Sequence, residues 1–284
     1  MNIGIIGLGL IGGSMAIDLR RRKFANRIVG MDADQVNAAA ALKIGLVDEV
    51  VSEDECVEKS DIIIVAVPVN FAVRVVCRVL DRFEKEGWTD KIVMDVCSTK
   101  EQIAQATMYH ACRKQYVATH PMAGTEYSGP WAAMPNLFDA KVCIIADQEE
   151  SSPKALAEVE KLYDALNMRI TFMSVSSHDV HTAYVSHLSH VISFALANTV
   201  LEKEKDEKHI FDLASGGFSS TVRLAKSNAD MWTPIFIQNK ENLVRVTDAF
   251  IQKVQEFRDA IDNMDETAIR AFIDEANRIK RIIK

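Results

Sequence analysis

The sequence has few cysteines, and their spacing gives no sign that they pair or bind metal. Five occur among the 284 residues, at positions 56, 77, 97, 112 and 143. The number is odd and no two cysteines have Cys-x-x-Cys spacing, which suggests neither a disulfide framework nor a zinc site. Unpaired cysteines are typical of a reducing compartment, so we expect a cytoplasmic protein.

The sequence also lacks a long uninterrupted apolar run and a block of basic residues. Its least polar long stretch, residues 183–201, is interrupted by histidines, serines and an asparagine, which favours a buried helix over a membrane span. The apolar start has no basic region, so no secretory signal is indicated. With 33 Lys and Arg against 40 Asp and Glu, the chain has a net charge of -7. We therefore expect a globular protein with no membrane or nucleic-acid partner.

The first 175 residues alternate between β-branched runs and helical segments. Predicted strands cover residues 3–6, 27–31, 62–69, 91–96, 141–146 and 169–175, and residues 115–118 are a further candidate. Predicted helices cover residues 10–24, 34–44, 70–86, 100–113 and 153–166. The apolar run at 62–69 shows no polar alternation, which is typical of a strand buried on both faces of a parallel sheet. The alternation predicts an α/β fold with a doubly wound sheet.

No strand candidate follows residue 175. Predicted helices there cover residues 178–201, 209–214, 221–228, 231–247 and 248–279. The last contains an apolar stripe with steps of three and four, formed by Phe250, Val254, Phe257, Ile261 and Met264. Such a stripe is typical of a helix that packs against another helix. We therefore predict an α/β domain over residues 1–175 and an all-α domain over residues 176–284.

A glycine-rich turn follows the first predicted strand and opens the first predicted helix. Gly7, Gly9 and Gly12 have G-x-G-x-x-G spacing, with Gly7 suited to a tight turn, Gly9 to a close pyrophosphate and Gly12 to close helix packing. Asp32 lies twenty residues beyond Gly12, at the end of the second strand. Its carboxylate can bind the ribose 2′-hydroxyl and would repel a 2′-phosphate, which favours NAD over NADP. The alternative is a glycine-rich turn without a cofactor.

Two later segments carry reactive side chains at strand ends, where ligands of open α/β sheets bind. Ser98 lies in residues 95–100, and its alternative role is a helix cap. His120 lies in residues 119–130, before a proline that holds it in an extended conformation. A neutral imidazole there can take a proton from an alcohol while a hydride leaves the same carbon; a structural loop histidine is the alternative. The expected cofactor contacts are Gly7, Leu8, Gly9, Leu10, Ile11, Gly12, Asp32, Val67, Pro68 and Ser98.

Two features of the helical part bear on a binding site. Arg223 lies in an apolar stretch after a glycine turn, where a guanidinium needs an anion from a protein carboxylate or a ligand. Four histidines form two pairs with helical spacing, at positions 178, 181, 187 and 190. A metal site needs three or four ligands and no further motif supplies them, so we expect no metal and interpret these histidines as polar groups on a helix that lines a pocket.

Taken together, these segments resemble the prephenate/arogenate dehydrogenase family of tyrosine biosynthesis. The matching segments follow the family's order and span nearly the whole chain, at residues 3–14, 95–100, 119–130, 186–196 and 213–240. The segments HPMAGTE and ASGGF are far more specific than the glycine motif. The resemblance implies an NAD(P)-binding Rossmann domain, a helical domain that forms an intertwined homodimer, and oxidative decarboxylation of a cyclohexadienyl substrate.

The resemblance also implies roles for individual residues. His120 would be the catalytic histidine that contacts the ring hydroxyl, and Ser98 would contact the same hydroxyl and the nicotinamide side. Arg223 would anchor a substrate carboxylate, and Glu126 would match an acidic residue at the pocket mouth. The residues that would line or support the pocket are His187, His190 and Trp232. The family often carries an acid shortly before the arginine, but residues 218–221 are Phe-Ser-Ser-Thr, which puts any ion pair through that acid in doubt.

Three alternatives stay open. Prephenate is favoured because NAD-dependent members commonly prefer it, whereas Glu126 could favour the ammonium group of arogenate. A β-hydroxyacid or imine-reducing dehydrogenase would share the architecture, but we would expect it to need a lysine in residues 176–190, where this chain has none. A non-enzymatic NAD-binding protein would not need His120, Ser98 and Arg223 together.

The apolar helices also predict an assembly. Residues 178–201 are apolar on nearly every face, and a helical domain of this size has little interior in which to bury them together with the stripe of 248–279. A second chain would supply the missing neighbours, and a two-fold dimer is the commonest solution. We therefore expect a homodimer through residues 176–284, with an interface of more than about 2,000 Å².

Overall fold

The computed structural model describes residues 1–205, 207 and 209–282. These residues contain an eight-stranded sheet formed by β1 (Asn2–Ile6), β2 (Arg27–Met31), β3 (Glu49–Val50), β4 (Ile62–Val65), β5 (Ile92–Asp95), β6 (Tyr116–Pro121), β7 (Val142–Ala146) and β8 (Arg169–Met173). The order across the sheet is β3-β2-β1-β4-β5-β6-β7-β8. The helices of this part are α1 (Leu10–Arg21), α2 (Gln35–Lys43), α3 (Glu53–Glu58), α4 (Val69–Glu86), α5 (Glu101–Thr107) and α6 (Pro153–Ala165).

The sheet is parallel except at one pair of strands. Its parallel strands agree with the predicted α/β class. β6 and β7 are antiparallel. The connection between them contains only a 3₁₀ turn at Pro130–Ala132 and no crossover helix, so the chain returns in the opposite direction. All four residues of β4 are buried, in agreement with the β-branched run in the sequence. Helix α4 covers one face of the sheet with its buried apolar side, which includes Val76, Val79 and Phe83.

Helices follow the last strand. They are α7 (Val175–Thr182), a π-helical turn (Ala183–His187), α8 (Leu188–Glu204), α9 (Gly216–Thr221), α10 (Ala229–Gln238), α11 (Lys240–Asp262) and α12 (Glu266–Ala276). No helix in the described ranges is long and apolar enough to cross a membrane. The end of the predicted helical domain, residues 283 and 284, lies outside the described residues, as do residues 206 and 208.

The helices of this part are divided differently from the prediction. The predicted helix 231–247 is split at Asn239, between α10 and α11. The predicted helix 221–228 is replaced by α9 and a 3₁₀ turn at Arg223–Lys226. The hydroxyls of Ser220 and Thr221 both donate to the carbonyl of Gly217 at 2.9 Å, and such bonds compete with helix continuation. The predicted helix 248–279 is broken after α11, where Met264 has a φ of 54° and the Asp265 side chain caps α12 by accepting from the Ala268 amide.

Smaller differences concern element ends and two missed elements. β3 and α3 were not predicted; α3 is short but carries a capping box between Ser52 and Glu55, a signal that the sequence did contain. The predicted helix 100–113 ends at Thr107, and that at 209–214 is only a 3₁₀ turn, Phe211–Leu213. The predicted helix 178–201 begins at Val175 and contains the π-helical turn.

Candidate active site

The glycine-rich turn has the local geometry that its spacing predicts. Gly7 has a φ of 102°, and a Cβ there would lie within 3.0 Å of the Ala66 carbonyl oxygen. A Cβ on Gly12 would lie equally close to the carbonyl oxygen of Gly7. Both positions therefore exclude a side chain for packing reasons. At Gly9, by contrast, no described atom lies within 4 Å of a built Cβ, so the loop leaves open space above it.

Asp32 is joined to this turn by hydrogen bonds. One carboxylate oxygen accepts from the Leu8 amide at 2.8 Å, and the other accepts from the Asp34 amide at 2.9 Å. The carboxylate therefore stands at the end of β2 beside the glycines, as the prediction for the ribose contact requires. The turn, its open space and this carboxylate fit a dinucleotide with a free 2′-hydroxyl.

The other residues expected to contact the cofactor are Leu8, Leu10, Ile11, Val67 and Pro68. The side chains of Leu8 and Leu10 are buried in the core, which leaves only their backbone for a cofactor. Ile11 is only partly buried. Val67 and Pro68 form the end of the β4 loop, directly before α4, and the main chain of Val67 lies next to Gly7.

The sheet register places Ser98 and His120 at the same edge. Asp95 of β5 pairs with Ala118 of β6, so Ser98 lies three residues past the pair and His120 lies two residues past it. His120 lies within β6 rather than in a loop, because β6 extends to Pro121 instead of ending at residue 118 as predicted. Ser98 is partly exposed, whereas His120 is buried.

His120 is the first member of a chain of three polar side chains. Its Nδ1 lies 2.8 Å from Nε2 of His178, and Nδ1 of His178 lies 2.7 Å from a carboxylate oxygen of Asp179. The Asp179 carboxylate also accepts from the amides of Lys100 and Glu101, at 2.9 and 3.0 Å. This series of hydrogen bonds thus connects β6, α7 and the start of α5. His178, Asp179 and His120 are all buried.

The protein holds His120 in its neutral form. Burial, together with the neighbouring His178, Lys100 and His187, lowers the pKa of His120 well below its ordinary value of 6.5. Burial also lowers the pKa of His178, against the opposing effect of its bond to Asp179. Although burial by itself raises the pKa of the Asp179 carboxyl, its hydrogen bonds with His178 and with the backbone amides of Lys100 and Glu101 outweigh it, and the net pKa is lowered.

A buried ion pair lies beneath this edge of the sheet. The Lys100 ammonium contacts the Asp95 carboxylate, and both side chains are fully buried. The Tyr116 hydroxyl donates to the same carboxylate at 2.6 Å, and the Cys97 amide donates to it at 3.0 Å. Breaking a buried pair by removing one partner costs about 3–5 kcal/mol. The pair therefore fixes the loop that carries Ser98.

His187, at the end of the π-helical turn, has a defined tautomer. The Asn239 side-chain amide donates to the carbonyl of Asp179 at 2.7 Å, which identifies that atom as Nδ2, and the same atom lies 3.1 Å from Nδ1 of His187. Nδ1 of His187 therefore accepts, and its Nε2 carries the proton. Burial lowers the pKa of His187 to about 4, so this imidazole is neutral.

His190 and Trp232 stack on each other. Their ring centroids lie 3.4 Å apart, and Trp232 also makes an edge contact with His187, at 5.9 Å between centroids. Of the two histidines of α7, His178 is buried and His181 is exposed. One turn of α7 separates it from His178, and only tertiary packing decides which of the two faces inward.

Arg223 and Glu126, both predicted to contact substrate, lie next to each other. A guanidinium nitrogen of Arg223 is 3.6 Å from a carboxylate oxygen of Glu126. The Arg223 charge also contributes to lowering the pKa of His190, after the larger effect of burial. The arginine is thus close both to Glu126 and to the stacked pair of His190 and Trp232.

Sequence reasoning missed three residues of this constellation and the role of a fourth. These are the hydrogen-bond partners of the catalytic candidate and the polar groups that support them, namely His178, Asp179, Lys100 and Asn239. For His178, helical spacing had indicated only a possible metal pair or pocket lining. The other three carried no local signal, because each of them joins two different elements of the fold.

Comparison with known proteins identifies one family in both parts of the chain. Residues 15–172 match the family described as prephenate dehydrogenase, nucleotide-binding domain, and residues 174–284 match prephenate dehydrogenase, dimerization domain. The chain is 30% identical to a prephenate dehydrogenase of Bacillus subtilis over 272 residues, which cover 94% of this chain and 72% of the relative.

Two solved structures are similar over the full length of this chain. A prephenate dehydrogenase from Aquifex aeolicus, in complex with hydroxyphenyl propionate and NAD+, is 28% identical with a TM-score of 0.88, covering 100% of this chain and 98% of the other. The arogenate dehydrogenase of Synechocystis is 26% identical with a TM-score of 0.79, covering 100% of both chains. Relatives named for either substrate thus share this fold.

Proposed function

Because this chain belongs to the prephenate dehydrogenase family, we propose that it oxidises prephenate with NAD and releases the ring carboxylate as CO₂, giving 4-hydroxyphenylpyruvate. The main observation behind this proposal is that His120, a neutral and buried histidine, lies at the edge of the sheet that also holds the glycine turn. The chain is an NAD-dependent dehydrogenase, and its glycine turn and Asp32 suit that dinucleotide.

NAD supplies the acceptor for hydride when it is bound. The residues of this chain supply the position and the base. His120 accepts the proton of the ring hydroxyl as hydride leaves the same carbon, and departure of the carboxylate as CO₂ makes the ring aromatic. His120 then returns the proton to the phenolate oxygen, which gives the hydroxyl of the product. A positioned general base contributes about 10²–10⁴-fold in rate. Ser98, partly exposed at the same edge, is placed to donate a hydrogen bond to that hydroxyl.

Arg223 would bind a substrate carboxylate through two hydrogen bonds. That carboxylate would replace Glu126 as the partner of the arginine. Glu126 would stand at the mouth of the pocket, and the neutral imidazole of His187 supports the pocket as an Nε2–H donor. His190 and Trp232 form the stacked wall beside the arginine.

Arogenate is the second candidate substrate. It differs from prephenate by an ammonium in place of a keto group on the side chain, and Glu126 is an acceptor for such a cation. In the free chain Glu126 lies next to Arg223, so it would be available to that ammonium only after a substrate carboxylate has replaced it at the arginine.

We further propose that two chains form a homodimer through residues 176–284. The described part of α11 and α12 exposes large apolar side chains, namely Ile251, Val254, Ile261 and Ile273. A pair of helices that exposes several large apolar side chains suits an interface with another chain. The proposed compartment is the cytoplasm, in keeping with five free thiols.

One assay tests the function. Purified protein is mixed with NAD and prephenate, then with NAD and arogenate, and NADH absorbance is followed. We expect NADH formation with prephenate, and at least about tenfold lower kcat/KM with arogenate. The His120→Asn variant should lose about 10²-fold or more in kcat while it still binds NAD. NADH formation with neither substrate would refute the proposal, and faster turnover of arogenate would replace it with the second candidate.

A further inference from the structure

The chain of hydrogen bonds behind His120 determines which of its nitrogens carries the proton. A neutral imidazole has one donor and one acceptor nitrogen, and the bond made by one nitrogen sets the state of the other. A general base must present its unprotonated nitrogen to the substrate. The atom that bonds to His120 on the protein side therefore determines which nitrogen of His120 can act as the base.

The direction of each hydrogen bond in this series can be assigned by starting from Asp179. Its two carboxylate oxygens accept from the amides of Lys100 and Glu101, and these donors stabilise the ionised form, in agreement with the lowered pKa of this carboxyl. An ionised Asp179 can only accept. Nδ1 of His178, 2.7 Å away, must then be the donor in that bond.

The assignment continues to His120. With its proton on Nδ1, a neutral His178 presents a bare Nε2 to Nδ1 of His120, at 2.8 Å. Nδ1 of His120 must donate in this bond. The proton of neutral His120 is therefore on Nδ1, and its Nε2 is left without a proton. The opposite arrangement would need either a proton on Asp179 or an imidazolium at His178, and the pKa values of both groups are lowered, which disfavours both.

We propose that His178 and Asp179 are positioning residues that hold His120 in the tautomer with a bare Nε2, so that this atom accepts the substrate proton. The inference rests on the proposed function of His120 as the base. When His120 Nε2 takes the proton, the imidazolium that forms keeps its bond through His178 to the Asp179 carboxylate. The buried negative charge thus stabilises the cation that the reaction creates.

The surroundings of the pair contain other titratable groups. They are the ion pair of Lys100 with Asp95 and the imidazole of His187, whose pKa burial lowers to about 4. The Asp95 carboxylate is bonded to Lys100 and Tyr116, whereas His178 is bonded to Asp179. Asp179 is therefore the carboxylate that orients His178.

The direct test reads the tautomers in the full-length chain without substrate. Protein labelled with ¹⁵N at histidine is examined by two-bond ¹H–¹⁵N correlation at neutral pH, which distinguishes Nδ1–H from Nε2–H rings. His120→Asn and His178→Phe spectra assign the two rings. We expect Nδ1–H for both His120 and His178. An Nε2–H signal for His120 would overturn the proposal, even if the enzyme turns over prephenate.

A kinetic comparison provides the second test. His178→Phe removes the bond to His120 while filling a similar space, and we expect kcat to fall by about 10²-fold or more with little change in NAD affinity. His181→Phe, at the exposed histidine of the same helix, is the matched control and should keep its kcat. Equal kcat in the two variants would overturn the positioning role. Absence of prephenate turnover in the unmodified protein, with Nδ1–H tautomers intact, would instead refute the proposed function alone.

Discussion

Arg223 and Glu126 face each other with 3.6 Å between a guanidinium nitrogen and a carboxylate oxygen. Arg223 comes from the turn after α9, and Glu126 comes from the loop after β6, so the pair joins the helical part to the α/β part. The Arg223 side chain is about half exposed, and exposed ion pairs contribute about 1 kcal/mol or less. A substrate carboxylate can therefore replace Glu126 at little cost.

Arg223→Gln should raise the KM for prephenate about tenfold or more, because it removes a charged hydrogen bond to the substrate. The kcat should change much less, since the base is untouched. Steady-state kinetics at saturating NAD measure both, with Arg169→Gln on the exposed start of β8 as the control. A large loss of kcat at unchanged KM would show that Arg223 acts on the transition state instead.

Gly9→Ala and Gly12→Ala should fail in different ways. A Cβ on Gly9 meets no described atom within 4 Å, so this variant should fold normally yet bind NAD weakly, because the methyl group occupies the pyrophosphate space. A Cβ on Gly12 would overlap the Gly7 carbonyl, so this variant should lose stability. Thermal unfolding and NAD titration of both variants test the contrast. Normal NAD affinity in Gly9→Ala would contradict the assigned site.

The unmodified protein should prefer NAD over NADP. Asp32→Ser combined with Ala33→Arg should narrow or invert this preference, because a serine hydroxyl tolerates a 2′-phosphate and the arginine can bind it. The ratio of kcat/KM for the two cofactors is the measurement. The introduced hydroxyl can still accept from the Leu8 amide, so the fold should persist. Equal use of both cofactors by the unmodified protein would remove the assignment of Asp32.

Activity should decrease in acid, and at a lower pH than an ordinary histidine would give. Burial and neighbouring charges lower the pKa of His120 well below 6.5. We therefore expect kcat to stay constant around pH 6.5 and to decline only at a clearly lower pH. The pH profile of kcat at saturating substrate and NAD is the measurement. A decline centred near 6.5 would show that the base is an ordinary exposed histidine.

Stability should also decrease in acid, through His187. Its pKa is about 4 when folded, against 6.5 for a free histidine, so the unfolded chain binds more protons between these values. The stabilisation that is fully present above pH 6.5 is therefore lost as pH falls towards 4, by about 3 kcal/mol for this residue. Urea unfolding at fixed protein concentration should give a flatter pH dependence in His187→Gln than in His209→Gln, where the histidine is exposed. Parallel curves for the two variants would contradict this assignment.

Local patterns in the sequence were sufficient for the elements that depend on neighbours in the chain. The strands β1, β2 and β4 and the glycine turn follow from β-branched runs and from positions where only glycine fits, and the structure confirms the α/β class with a helical part after it. The motif around His120 and the position of Arg223 were equally visible, because both are short and unusual in composition.

Tertiary structure alone decided how these residues meet. The bond from His120 to His178 spans 58 positions, and the one from Asn239 to His187 spans 52, so no local pattern encodes either. The inward position of His178 and the outward position of His181 on one helix depend on which face packs against β6 and α5. Hydrogen-bond directionality then passes from Asp179 to His120, because each donor in a buried chain must find an acceptor.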